Sequence, residues 1–237
     1  MITRNVVHRV FHLSIGTQAG TAFAFDRNGK EYLITTRQLL DQTGGSCEDS
    51  RIYHETGWKR IEVSFVGATE SGGADIAVLA PTIRLGPDFP LAPITGALPM
   101  GQQLYSLGFP QGMVGQSSKD NRSFPVPLVK TGILSGIDSA DSGALLVEGH
   151  IHAGFSGGPV GILAPAKPQD TKPVFQVAGI VAGHRSVWSP VFDREGGKEI
   201  GKYLENTGIY IARPITEAMR IIDGSRAESK RGEKTLH

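Results

Sequence analysis

Gly154-Phe-Ser-Gly-Gly-Pro159 is the stretch of this chain best suited to chemistry. Glycines on both sides leave Ser156 little steric cover, so its hydroxyl can project into a cleft. Gly154 lets the backbone turn two amide N–H groups toward one point, as an oxyanion developing during acyl transfer requires. An ordinary glycine-rich turn would share the Ser-Gly pair, but here Pro159 and an apolar run at 160–163 follow directly. A second stretch, Gly73-Ala-Asp-Ile-Ala-Val-Leu79, sets Asp75 immediately before a strand-like apolar run. There the carboxylate either ends a sheet or orients a general base. His150 and His152 alternate just upstream of Ser156 and so share one face of an extended segment. Two histidines at that spacing have no third ligand in view and Cys47 has no cysteine partner, so no metal and no cofactor is expected.

These residues sit among short apolar segments bounded by turns. Strands are expected at 6–13, 20–25, 32–35, 59–66 and 74–80, and again at 103–108, 128–135, 144–148, 160–163, 174–181 and 208–212. Asp26-Arg-Asn-Gly29 reads as the turn of a hairpin. In 59–66, Ile61, Val63 and Phe65 alternate as on a half-buried strand. Only two helical pieces suggest themselves: one turn around 36–40, and 214–223, where Ala218, Ile221 and Ile222 share a face and Gly224 offers a stop. Many short strands with glycine turns imply an all-β sandwich or barrel. The division expected is an N-terminal barrel at 1–85, a proline-rich connector at 86–100, a C-terminal barrel at 101–213, the helix at 214–223 and a polar tail at 224–237.

Composition agrees with many turns around a real core: 31 of 237 residues are glycine and 39% are hydrophobic. Lys and Arg number 24 against 23 Asp and Glu, which gives no electrostatic case for nucleic acid or an anionic membrane. No run reaches the 18 or so apolar residues of a membrane span. The first ten residues carry Arg4, His8 and Arg9 and contain no signal-peptide core. With a single cysteine, Cys47, no intramolecular disulfide can form, and a reducing, cytoplasmic setting is expected.

Taken in order, Gly20-Thr-Ala-Phe-Ala-Phe-Asp26, Tyr32-Leu-Ile-Thr-Thr-Arg-Gln-Leu-Leu40, Asp75-Ile-Ala-Val-Leu79 and Gly154-Phe-Ser-Gly-Gly-Pro159 resemble the trypsin-like (chymotrypsin-fold) serine peptidases, in particular their disulfide-free bacterial branch. Tyr105-Ser-Leu-Gly-Phe-Pro110 is similar to the first strand of that family's second barrel, and 177–183 to the strand whose edge pairs with bound peptide. The resemblance runs from about residue 6 to 222. It implies two antiparallel six-stranded β-barrels packed at a central cleft, with a short C-terminal helix. It further implies Ser156 as nucleophile, Asp75 as the orienting carboxylate and Gly154 as a backbone donor of the oxyanion hole. His150, six residues before the serine, and Ala182, Gly183 and His184 would contact substrate. Protonated His150 and His184 would suit a polar or acidic side chain. The same Gly-x-Ser-x-Gly spacing also fits the nucleophile elbow of α/β-hydrolases, but Pro159 and a β-like run follow where that fold needs a helix.

One position departs from the family pattern. Where Thr-x-x-His carries the base, this chain reads Thr35-Thr-Arg-Gln38, and no histidine lies between His12 and His54. An amide is not basic near neutral pH, although it can hydrogen-bond a neighbouring hydroxyl or carboxylate. The leading expectation is therefore a pseudoprotease that binds a peptide or protein in the old cleft. The alternative is a serine endopeptidase silenced at Gln38 or using a non-standard base. A third is a plain structural module of a larger assembly. Oligomeric state is open.

Overall fold

The structure is a computed structural model that describes residues 1–41, 43–55, 57–70, 75–115, 124–165 and 173–234. After a single helical turn, α1 (Arg4–Val7), the first sheet is built from β1 (Val10–Ile15), β2 (Gln18–Arg27), β3 (Lys30–Thr35), β4 (Ser50–His54), β5 (Gly57–Arg60), β6 (Val63–Ala68) and β7 (Ala77–Pro81), with α2 (Gln38–Asp41) between β3 and β4. Its strand order is β5-β4-β1-β2-β3-β7-β6 and every pair is antiparallel. The second sheet holds β8 (Ala92–Pro93), β9 (Gln103–Gly108), β10 (Leu128–Asp138), β11 (Ala144–Glu148), β12 (Pro159–Ala164), β13 (Val174–Phe192) and β14 (Glu199–Pro214), and α3 (Ile215–Lys234) ends the description. Its order is β12-β9-β10-β11-β14-β13-β8, and a further β12–β13 pairing closes six antiparallel strands into a ring. Only β8 lies parallel to its neighbour. The protein is thus all-β, two curled antiparallel sheets with a C-terminal helix.

Local chemistry explains how the first sheet turns. Asn28 and Gly29 link β2 to β3 with φ of 54° and 77°, so both central residues of this two-residue hairpin have the positive φ that matches strand twist. Along β2 and β3 the side chains then sort by the two-residue period. Ala22, Ala24 and Leu33 enter the interior of the first sheet, and Phe23, Phe25, Tyr32 and Ile34 point the other way. There they meet Leu107, Phe109, Val177 and Ile180 of the second sheet and Ile215, Ala218 and Ile222 of α3. This shared layer joins the two halves. The second sheet has its own interior around Leu104, Leu134, Val147, Phe155 and Tyr210.

Several segments differ in detail from the expectation. The segment 6–13 opens as helix, with β1 starting only at Val10. The strand expected at 59–66 is split: β5 pairs with β4, a hairpin that the Ile61 N–H extends by donating to Ser50 O, whereas β6 turns away to pair with β7. Phe65 stays half exposed. The helix expected to stop at Gly224 runs on to Lys234, since one glycine costs only about 1 kcal/mol in a helix and the good helix formers Arg226, Ala227 and Glu228 follow it. The largest difference is in β13 and β14, which run to 19 and 16 residues. Among the described residues, no helix is long and apolar enough to cross a membrane.

Candidate active site

Ser156 is held by what surrounds it. Phe155 is fully buried in the interior of the second sheet and anchors the loop. The N–H groups of Phe155, Gly157 and Gly158 are engaged, donating to His152 O, Val181 O and Phe155 O at 3.2, 2.8 and 2.9 Å. Those of Gly154 and Ser156 donate to no backbone carbonyl among the described residues. Gly157 has φ of +87°, and a Cβ there would collide with Thr21 O. Only glycine lets the serine turn seat this close to the first sheet.

Thr21 on β2 is the clasp between the halves. Its N–H donates to Ser156 O at 3.1 Å, and its Oγ1 donates to Gly154 O at 2.5 Å and accepts from Phe109 N at 3.0 Å. Its carbonyl accepts Thr35 Oγ1 at 2.8 Å. The loop bearing Ser156 is therefore pinned from the opposite sheet, across a sequence separation of 133 residues. Nothing in the local pattern of Gly20-Thr-Ala marks this threonine as a clasp.

Asp75 precedes β7 with φ of 52°, a left-handed conformation that aspartate tolerates better than most residues. Ile76 N donates to Thr69 Oγ1 at 3.0 Å and Ile76 O accepts Thr69 N at 2.9 Å, which fixes the start of the strand. Asp75 Oδ1 accepts the backbone N–H of Gln38 at 3.2 Å, while Oδ2 is buried without a partner among the described residues. Burial raises the pKa of this carboxyl, opposed by the Gln38 N–H and the charge of Arg37. Because the folded protein holds the proton more tightly than the unfolded chain, ionised Asp75 costs stability. The cost grows as pH rises from the unfolded carboxylate value through the folded one, and is complete above it. Asp75→Asn is therefore expected to gain stability relative to the parent chain as pH goes from about 3.5 to 7. Denaturant titrations at several pH values check this, and a pH-independent difference would refute it.

Gln38 itself is exposed, and its side chain makes no hydrogen bond among the described residues. Gly20 connects the two sides of the cleft: a Cβ built on it would touch Leu39 Cδ2 at 3.3 Å and Ser156 O at 3.6 Å. Leu39 of α2, next to Gln38, and the Ser156 carbonyl thus both lie against Gly20.

On the second sheet, β13 pairs with β12 only as far as Ile180. Val181 is spent on the serine turn, exchanging backbone bonds with Gly157 and Gly158. From Ala182 through Gly183 to His184 this edge bears no ladder to β12, which leaves it open to an added strand. His150 and His152 lie with ring centroids 5.7 Å apart, and Lys130 Nζ donates to His150 O at 2.6 Å. The charge of Lys130, then burial, then His150 and His184 hold the pKa of His152 below the ordinary imidazole value. A cation from β10 thus joins the three histidines, and no local pattern in the sequence marks Lys130 for that place. It had also passed over His12, whose ring stacks on Phe109 at 5.4 Å and whose pKa is lowered by burial. His12 lines a cavity of about 360 Å³ with Phe109, Gln111, Ala153 and Gly154. Its only signal in the sequence is a histidine inside an apolar strand. No set of three or more metal-ligating side chains occurs among the described residues.

A family model described as a trypsin-like peptidase domain matches residues 20–161. The search of curated proteins finds no match. Among solved structures, the chain is similar to a serine endoprotease from Yersinia pestis, with a TM-score of 0.59, 18% identity, and coverage of 94% of this chain and 64% of that one. It therefore spans less than two thirds of that protein. It is also similar to the Rv3671c protease in an inactive form, at a TM-score of 0.57 and 16% identity over 92% of this chain and 89% of that one. A serine-to-alanine mutant of Rv3671c from M. tuberculosis H37Rv, also inactive, gives 0.59 and 16% over 94% and 88%. At these identities the likeness concerns the fold.

Proposed function

Since the chain belongs to the trypsin-like peptidase domain family, matched over more than half its length, we propose that it is a pseudoprotease that holds an extended peptide in the cleft without cutting it efficiently. The observation that carries this reading is Gln38, whose backbone N–H reaches Asp75 at the place where the family's pattern puts its histidine. Without a base, the Ser156 proton has nowhere to go at neutral pH. Removing the corresponding histidine from subtilisin, another serine protease, lowers kcat about 2 × 10⁶-fold. That is roughly 8–9 kcal/mol of transition-state stabilisation. Peptide binding needs none of it. It draws on the open edge at Ala182–His184 and on the cavity beside Gly154, which survive the loss of the base.

The Lys130 ammonium, with His150, His152 and His184 beside it, suits a carboxylate side chain of the bound peptide. Lys130 and burial hold His152 below the ordinary imidazole value in the free protein and a bound carboxylate would raise it, so affinity for an acidic peptide should fall as pH rises from that lowered value through the raised one. An otherwise identical glutamine peptide should respond little. Fluorescence polarisation with a Glu/Gln pair at pH 5.5 and 8, scored alongside product formation, tests both claims. Turnover of either peptide at an ordinary enzyme rate of about 1 s⁻¹ or more would sink the pseudoprotease reading.

The unengaged N–H groups of Gly154 and Ser156 favour a second reading, a serine endopeptidase with its base supplied otherwise. An oxyanion hole and binding alone can sustain about 10³–10⁴-fold acceleration over water. Stoichiometric labelling of Ser156 in the unmodified chain by a serine-directed phosphonate would favour that alternative.

A further inference from the structure

β1 sorts its side chains by the two-residue period. Phe11, Leu13 and Ile15 enter the interior of the first sheet, and His12 points out of it toward the second. The His12 ring stacks on the fully buried Phe109 at 5.4 Å and meets Trp58 of β5 at 4.7 Å, and the residue is only 8% exposed. Neither ring nitrogen has a hydrogen-bond partner among the described residues, and burial alone lowers the imidazole pKa. His12 is therefore uncharged at neutral pH, with one nitrogen to donate and one to accept. Gly112 leaves the edge between those nitrogens uncovered, since a Cβ there would come within 3.3 Å of His12 Cε1. Both residues line the cavity of about 360 Å³, together with Ala19, Phe109, Ala153 and Gly154.

The serine turn has two sides. Gly157 and Gly158 exchange backbone bonds with Val181, the residue before the open edge at Ala182–His184, whereas Ala153 and Gly154 face the cavity. A peptide laid along that edge and across Ser156 brings a later side chain to the cavity. The walls select its class. About 360 Å³ is near the lower end of the roughly 300–1,000 Å³ of ligand pockets, which suits one large side chain. Apart from His12, the one polar side chain of the lining is Gln111, and none is charged. A carboxylate or an ammonium would thus enter without a counter-charge. Phe109 and the small side chains of Ala19 and Ala153 match an apolar ring, but a wholly apolar occupant would shut the imidazole nitrogens away from water unpaired. A phenol meets both demands, because its hydroxyl donates or accepts and so serves either imidazole tautomer.

We propose that this cavity is a tyrosine subsite of the cleft, and that His12 is its specificity-determining residue. The step from pocket to peptide rests on the peptide-binding reading above; the pocket's preference for a phenol does not. p-Cresol and toluene, the side chains of tyrosine and phenylalanine as free molecules, probe the pocket alone. Titrated into the histidine-labelled full chain and followed by NMR, p-cresol should move the His12 ring signals with an affinity about tenfold above that of toluene, as one added hydrogen bond allows. His12→Phe, which keeps a ring and removes the nitrogens, should make the two bind equally. The comparison in the parent chain decides the matter should that variant misfold. Fluorescein-labelled alanine hexapeptides with one glutamate, bearing tyrosine or phenylalanine at each later position in turn, carry the test to the cleft. Polarisation should show a similar tyrosine preference at one position, lost in His12→Phe. Equal binding of p-cresol and toluene by the parent chain, or a preference that His12→Phe retains, would overturn the proposal. So would hexapeptides that bind with no tyrosine preference at any position. A p-cresol preference read at His12 with no hexapeptide bound would support the phenol pocket and refute the peptide-binding reading.

Discussion

Gln38→His is expected to turn this protein into a measurable serine hydrolase. The substitution asks little of the scaffold. The position-38 backbone N–H already sits 3.2 Å from Asp75 Oδ1, and the other carboxylate oxygen is buried without a donor among the described residues. An imidazole Nδ1–H is the group such an oxygen lacks, and donating it would fix the tautomer that presents Nε2 to the serine. The Gly154 and Ser156 amides, which donate to no backbone carbonyl among the described residues, would receive the oxyanion under this reading. Of the roughly 10⁶-fold that a triad histidine contributes in subtilisin, we expect about 10²–10⁴-fold to return, since the neighbours of position 38 are not packed around an imidazole. Ester turnover and phosphonate labelling should both rise. The rate should climb with pH through about 6–7 as the new base loses its proton. Adding Ser156→Ala must abolish the gain. A Gln38→His variant that folds but gains no turnover would mean that the site has decayed beyond one residue.

The second large effect lies far from any chemistry. Arg9→Met should destabilise the protein by about 3–5 kcal/mol, a sizeable part of the 5–15 kcal/mol typical of a domain. Arg9 is fully buried. Its guanidinium donates to Asp26 Oδ2 at 2.6 Å and to Pro87 O, and lies 3.9 Å from Glu31 Oε2. Glu31 in turn accepts the N–H groups of Leu85 and Gly86 at 2.6 and 3.0 Å. One cation thus ties β1 and β2 to the start of the connector between the sheets. Methionine fills much the same volume but leaves a carboxylate with 4% exposure facing an apolar side chain. Arg84, 2.9 Å from Asp26, pairs directly with that residue and reaches Glu31 only through its field. Urea denaturation reads the loss directly. A shift below about 1 kcal/mol would mean that the carboxylates reach water when the arginine goes.

Much of the fold was legible before any coordinates, for physical reasons that act over a few residues. Alternation of apolar side chains, positive φ at Asn28-Gly29 and the glycines around Ser156 are local constraints, and local constraints leave marks in sequence. The same holds for the helical face at Ala218 and Ile222. Lengths were less legible than types. The arm formed by β13 and β14 contains Pro190, two glycines near its turn and many polar residues, so it reads as a loop although its backbone is paired throughout. A ribbon with two open edges tolerates a proline that an interior strand would exclude.

By itself, the amino-acid sequence determined that this is an all-β trypsin-like chain with a serine turn, an aspartate before a strand, and glutamine at position 38. Identity at a position and order along the chain are sequence properties, and tertiary contacts cannot alter them. The tertiary structure alone decided that Thr21 clasps the serine loop, that Arg9 is a buried strut, that Lys130 joins the histidines and that His12 walls a cavity beside Gly154. Each of these roles depends on a partner brought close by the pairing of distant strands. A residue's type limits which bonds it can make, but only the fold selects the one it makes, because the cost of burying a polar group is set by the neighbours it meets there.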